Sequence, residues 1–234
     1  MKYDTILFDA DMTLFDFRKA EEYALEETFL SHGCPFTPEI RERYIAINED
    51  LWRSFEQGKI SREYLMSSRF TLLFQELGLA VDGILFNQEY LDHLGQHPFL
   101  LNGALELCRT LSRHCRLYIA TNGVTNTQKN RLRLSEIRPF ITDIFVSEET
   151  GSQKPLPGYF QYVAGHIPGW NPQRTLMVGD SLTSDIQGAL NAGIPCCWFN
   201  PDFLPFTLKT PCTYEIHQLS QLVPIILGQS SDIS

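Results

Sequence analysis

The sequence predicts an α/β protein: a Rossmann-like parallel sheet with helices on both faces, and an α-helical unit inserted after the first strand. Three patterns carry that expectation. Short apolar runs end in acidic, polar or glycine-containing turns, amphipathic helical patterns alternate with them, and one long stretch near the start is helical in pattern with few strand signals. Alternation of strand and helix is the arrangement a parallel sheet needs, because each crossover returns the chain across a sheet face.

The strand candidates, in chain order, are Thr5 to Phe8, Leu117 to Ala120, Ile144 to Val146, Thr175 to Val178 and Pro195 to Phe199. All are short and apolar, as strands covered on both faces should be. Helical patterns fill the gaps at Leu101 to Arg113, Thr127 to Leu134, Gly158 to Ile167 and Ser184 to Ala192, the last closing on Ala192-Gly193. From about Arg18 to Leu94 the rhythm changes to long amphipathic stretches, KAEEYALEETFLSHG, PEIRERYIAINEDLWRSFEQG and SREYLMSSRFTLLFQELG. Gly33 with Pro35, Gly58 and Gly78 stand where helices should stop, and Pro98 precedes the return to the sheet. The expected division is a core of residues 1–17 and 95–234 and a helical unit of residues 18–94. The tail GQSSDIS is expected to fray.

With 234 residues, 43% hydrophobic and 20% charged, the chain is long enough to bury a sizeable core. Its net charge of -9, with no run of Lys and Arg, argues against a nucleic-acid polymer as partner. The opening MKYDTILFDAD meets acids too soon for a secretory signal, and no later stretch approaches a membrane span, so a cytoplasmic protein without membrane partners is expected. The six cysteines, Cys34, Cys108, Cys115, Cys196, Cys197 and Cys212, lack zinc spacing and read as reduced, buried thiols. None of the six histidines falls in a ligand pattern.

Chemistry concentrates at the strand ends. DADMT places Asp9 and Asp11 two apart, so in an extended segment both carboxylates leave one face at the carboxyl edge of the sheet. Two acids there need a counter-charge, which Mg2+ supplies, being a hard cation that takes oxygen ligands. One carboxylate is then suited to attack phosphorus while the other handles the leaving group's proton. Thr121, Asn122 and Gly123 offer a hydroxyl, an amide and an open backbone N–H for phosphate oxygens. In SQKPLPG, Pro155 and Pro157 restrict the loop that carries Lys154, an ammonium able to face an anionic centre. GDSLTSD adds Asp180 and Asp185 as further carboxylates for the metal. Each piece has a plainer alternative: Asp9 and Asp11 as turn residues, Asp185 as a helix cap, Lys154 as a solvated charge.

DADMT, TNG, the Lys154 loop and GDSLTSD, in that order, resemble the four motifs of the haloacid dehalogenase-like superfamily, over Asp9 to Asp185 and on into QGALNAG. The resemblance implies that Asp9 forms an aspartyl-phosphate and that Asp11 is general acid, then base. It also implies that magnesium is held by Asp9, the Asp11 carbonyl and Asp180, with Asp185 either direct or one shell out. True dehalogenases lack the second acid, so Asp11 implies phosphorus chemistry. The helical insert resembles a C1-type cap, which closes over the site and selects small phosphorylated metabolites. Met12 departs from the pattern, where a glycine or an acid is usual, and leaves cap packing and backbone flexibility open. TNGVTNTQKNRL with GDSLTSDIQGALNAGIPCCWFNP is similar to the branch that dephosphorylates pyrimidine nucleoside monophosphates. On that reading Tyr44, Trp52, Phe55 and Tyr64 are either base-stacking residues or the helical unit's own core. The alternatives left open are a sugar-phosphate phosphatase, a phosphomutase using the same motifs, and a catalytically idle module.

Overall fold

The computed structural model describes residues 2–228, and residues 229–234 of the tail expected to fray lie outside them. Six strands form one parallel sheet: β1 Thr5–Phe8, β2 Arg116–Thr121, β3 Asp143–Val146, β4 Thr175–Gly179, β5 Cys196–Phe199 and β6 Tyr214–Ile216, in the order β3-β2-β1-β4-β5-β6. The five strands read from the sequence are present within a residue or two of their expected ends. β6 is an addition at the sheet edge: three residues of which only Ile216 is buried, too little apolar pattern to mark a strand.

The chain divides into two compact units, one from the segments up to Phe17 and from Pro98 onward, the other Arg18–His97. The second holds α1 Phe17–Ser31 (from its second residue), α2 Pro38–Glu56, α3 Arg62–Leu77 and α4 Gly83–Gly95. Local chemistry sets their ends. Thr37, Ser61 and Asp82 cap three N-termini by accepting backbone N–H groups, and Gly78 closes α3 in the left-handed region at φ 65°, where a side chain would be strained. Inside this unit Tyr44 is fully buried and stacks on Phe70 at 4.7 Å, and Phe55 is buried as well. These two aromatics belong to the helical core and present no face to a base; Trp52 is half-buried and Tyr64 exposed.

The sheet unit carries α5 Ala104–Leu111, α6 Thr125–Leu134, α7 Ser147–Thr150, α8 Pro157–His166, α9 Gln187–Asn191 and α10 Leu222–Leu227. Side chains alternate along each strand, so Ile6, Phe8, Leu117, Ile119 and Val178 pack with Leu107, Leu132 and Leu222 on one face. Leu7, Tyr118, Ala120, Met177 and Trp198 pack with Tyr159, Phe160, Val163 and Ala189 on the other. Helices therefore cover both faces, and each fully buried large side chain contributes roughly 1.5–3 kcal/mol. The helix expected from Ser184 is present, beginning in a wider helical turn over Leu182–Ile186 and continuing as the short α9. All six cysteines are unpaired; Cys108, Cys115, Cys196 and Cys197 are buried, whereas Cys34 and Cys212 are only partly so. Among the described residues no helix is long and apolar enough to cross a membrane.

Candidate active site

The parallel register sets Phe8 beside Ile119 and Val178, so the residues after β1, β2 and β4 emerge at one sheet edge. There the strand order reverses about β1 and β4, the place where ligands bind in open α/β sheets. Asp9 follows β1 directly, its N–H donating to the Val178 carbonyl at 2.8 Å. Asp180 follows β4, Thr121 ends β2, and Lys154 arrives from the loop after α7, ahead of a cis peptide to Pro155.

Lys154 is the hub. Its ammonium, 1% exposed, donates at 2.6 Å to Asp9 Oδ1, to Asp185 Oδ1 and to the Ala120 carbonyl. Burial alone would lower its pKa, but Asp185 and Asp9 outweigh burial and hold it above the ordinary value, protonated. Burial also pushes the Asp9 carboxyl well up; Lys154 opposes this, and Asp185 and Asp180 add to it. Asp180 is pushed up to about 7 by burial and by Asp185. Asp9, Asp180 and Asp185 each bring a carboxylate oxygen within 4.8 Å of the others. Three acids around one fixed cation leave the cluster short of positive charge, and its donors are all oxygen, a set that fits a small, hard divalent ion.

The supports of these acids are local. Thr13 Oγ1 donates to Asp180 Oδ1 at 3.2 Å, and the Trp198 indole N–H donates to the Asp180 carbonyl at 2.8 Å. Asp185 sits in the wide turn, where the Ile186 N–H donates to the Ser181 carbonyl five residues back at 3.1 Å. Its Oδ2 accepts the Ser181 N–H at 3.1 Å, so both of its oxygens are engaged within the protein. Gly179 makes this possible, because a Cβ there would lie 2.2 Å from Asp185 Oδ2.

Thr121, Asn122 and Gly123 lie at the end of β2, yet the Asn122 amide is turned to the Lys154 backbone, donating to its carbonyl and accepting its N–H. The Gly123 N–H donates to Thr121 Oγ1 at 3.0 Å. Asp11 faces α6: Gln128 Nε2 donates to its Oδ2 at 2.6 Å, and Arg131 Nη1 donates to its Oδ1. Gln128 and Arg131 were not expected at the site. The available signal was their spacing of three on the helix face that also carries Leu132, although polar residues in that pattern normally mark a solvated face.

Fold and strand-end chemistry together define a class, the haloacid dehalogenase-like hydrolases, and the chain belongs to that family, whose model matches residues 3–193. In particular, it is 44% identical over 225 residues to the HAD-hydrolase YfnB of Bacillus subtilis, with 96% of each chain covered. Against a crystal structure of YfnB bound to magnesium the TM-score is 0.92, covering 97% of this chain and 99% of that one. Two pyrimidine 5'-nucleotidases are also similar. PynA of Streptococcus pneumoniae is 38% identical, covering 95% of this chain and 94% of PynA. YjjG of Escherichia coli is 32% identical, covering 94% of this chain and 98% of YjjG.

Proposed function

We propose that the chain is a magnesium-dependent phosphomonoesterase that acts on a small phosphorylated metabolite, a nucleoside 5'-monophosphate, through an aspartyl-phosphate on Asp9. The observation that carries this is the separation of two acids after one strand: Asp9 bonded to a buried ammonium from a loop, Asp11 bonded to helix α6. Separate surroundings allow separate roles.

In the first step a carboxylate oxygen of Asp9 forms a bond to phosphorus, the bond from phosphorus to the ester oxygen breaks, and protonated Asp11 gives its proton to the departing alkoxide. The alcohol leaves. In the second step Asp11, now a carboxylate, takes a proton from water as the water oxygen bonds to phosphorus. The bond to Asp9 breaks, restoring its carboxylate and releasing inorganic phosphate. Magnesium, when bound by Asp9, Asp180 and the Asp11 carbonyl, with Asp185 beside them, supplies neutralising charge to the phosphoryl oxygens. Lys154 screens Asp9 from the incoming anion, Thr121 and the turn backbone after it orient the phosphoryl group, and the Asn122 amide holds the Lys154 loop in place. The helical unit is assigned the choice of substrate, and the two nucleotidase relatives support a nucleoside monophosphate.

The test is kcat/KM with magnesium and with chelator over pyrimidine and purine nucleoside monophosphates and sugar phosphates. Release of free phosphate, best with a nucleotide, is expected; an isomerised sugar phosphate without free phosphate would mark a phosphomutase. Asp9→Asn should abolish turnover in a folded protein, and magnesium-dependent release surviving that change would refute the mechanism.

A further inference from the structure

Asp11 is held at both carboxylate oxygens by one face of α6, by Arg131 at Oδ1 and by Gln128 at Oδ2. The asymmetry of exposure is informative: the Arg131 side chain is 0% exposed, whereas that of Asp11 is 26% exposed. Asp11 is thus gripped from one side by a fully buried guanidinium while keeping an open face. Arg131 also lies over the Phe15 ring at 4.6 Å, and Phe15 closes the loop that carries Asp11, its N–H donating to Ala10 and its carbonyl accepting from Met12. The same guanidinium thus touches both the acid and the turn that presents it. Gln128 has an independent support: a Cβ at Gly123 would lie 2.3 Å from its Nε2 and 2.7 Å from its Cγ. The glycine of TNG leaves the space through which Gln128 reaches Asp11.

We propose that Gln128 and Arg131 are positioning residues for Asp11, fixing the orientation from which its carboxyl exchanges protons with the leaving group and with water. This rests on the phosphomonoesterase reading. The segment from the end of β2 into α6 then has two roles, since the strand end that carries Thr121 leads into the helix that aims the acid. A phosphoryl group and its proton donor are placed by one continuous stretch of chain. Burying Arg131 is costly unless it stays paired, which ties Asp11 to one orientation rather than a spread of rotamers.

The experiment compares kcat/KM for para-nitrophenyl phosphate, whose phenolate departs without a proton, with that for an alkyl phosphate, whose alkoxide needs one, using magnesium-loaded wild type, Gln128→Ala, Arg131→Lys and Asp11→Asn. Because kcat/KM reports only steps up to release of the alcohol, it isolates the acid. In Gln128→Ala and Arg131→Lys the alkyl-to-aryl ratio should fall about tenfold or more, in the same sense as Asp11→Asn. Both esters falling together, or neither falling, would overturn the assignment. Gln128→Ala decides alone if Arg131→Lys does not fold. Should Asp11→Asn itself show no preference for the aryl ester, the failure lies with Asp11 as the acid and not with its holder.

Discussion

Asn122 holds Lys154 by the backbone from both sides: its Oδ1 accepts the Lys154 N–H and its Nδ2 donates to the Lys154 carbonyl, each at 2.9 Å. Both residues are buried, so the end of β2 fixes the loop that delivers the central ammonium. Asn122→Ala removes both partners at once and leaves two buried backbone groups unsatisfied, each costing about 1–3 kcal/mol. A loss of about 2–6 kcal/mol is expected in urea unfolding, with a lower kcat as Lys154 loses its aim. Unchanged stability in Asn122→Ala would mean that water replaces the amide.

Lys154→Met strips Asp9 and Asp185 of their shared counter-charge and leaves two buried carboxylates facing Asp180. Breaking a buried pair by removing one partner costs about 3–5 kcal/mol. The loss should be largest in chelator, and magnesium should restore more stability to Lys154→Met than it adds to wild type, because the cation then meets a cluster with no competing ammonium. Thermal unfolding of both proteins with and without magnesium measures this. An equal magnesium effect in the two would show that Lys154 and the ion do not share the acids' charge.

Met12 lies in the left-handed region at φ 58°, a conformation that costs a non-glycine residue about 1–2 kcal/mol. The turn demands it: the Met12 N–H donates to Phe15 at 2.9 Å, while the Leu14 and Phe15 N–H groups both reach back to Ala10. Of the residues usual here, a glycine or an acid, only glycine would escape this backbone cost. Met12→Gly should gain about 0.5–1 kcal/mol after the entropy of the added glycine is set against the relieved strain. Calorimetry should show a rise in Tm of about 1–3 °C. A fall instead would mean that the methionine side chain contributes more by packing than its backbone costs.

The parts of this molecule legible in the sequence are those whose information is local. β1 and β4 are apolar on both faces because helices cover both, and Asp9 and Asp180 come next after each strand, so strand and acid are read together. The structure brings both acids, Lys154 and Asp185 to one edge, as their order along the chain suggested. β6 escaped because an edge strand of three residues carries almost no period-two signal. Gln128 and Arg131 escaped for a different reason: their polarity marks a wet helix face until the Asp11 loop is placed opposite them. Asn122 shows the same limit, since one amide can serve a phosphate or a peptide and only the partner decides.

Glu21 gives the helical unit a pH dependence of its own. Its carboxyl is 6% exposed, with Oε1 accepting from Asn48 Nδ2 at 3.3 Å and from the Tyr90 hydroxyl at 3.4 Å. Nearby Arg69 is also buried, donating to Asn87 at 2.6 Å. Burial pushes Glu21 up from 4.5 to about 7, and Arg69 and Tyr90 only partly offset it. In the unfolded chain the same group titrates near 4.5, so as pH rises the unfolded state releases the proton first. Stability contributed by protonated Glu21 is therefore fully present below about 4.5 and is lost as pH rises through about 7. The loss over that window is on the order of 3 kcal/mol. Glu21→Gln keeps an oxygen for both donors and removes the titration. The stability difference between wild type and Glu21→Gln, measured by denaturant unfolding at intervals from pH 4.5 to 8, should swing toward the variant across this range. A difference that stays flat would place Glu21 ionised in the folded protein, paired with Arg69.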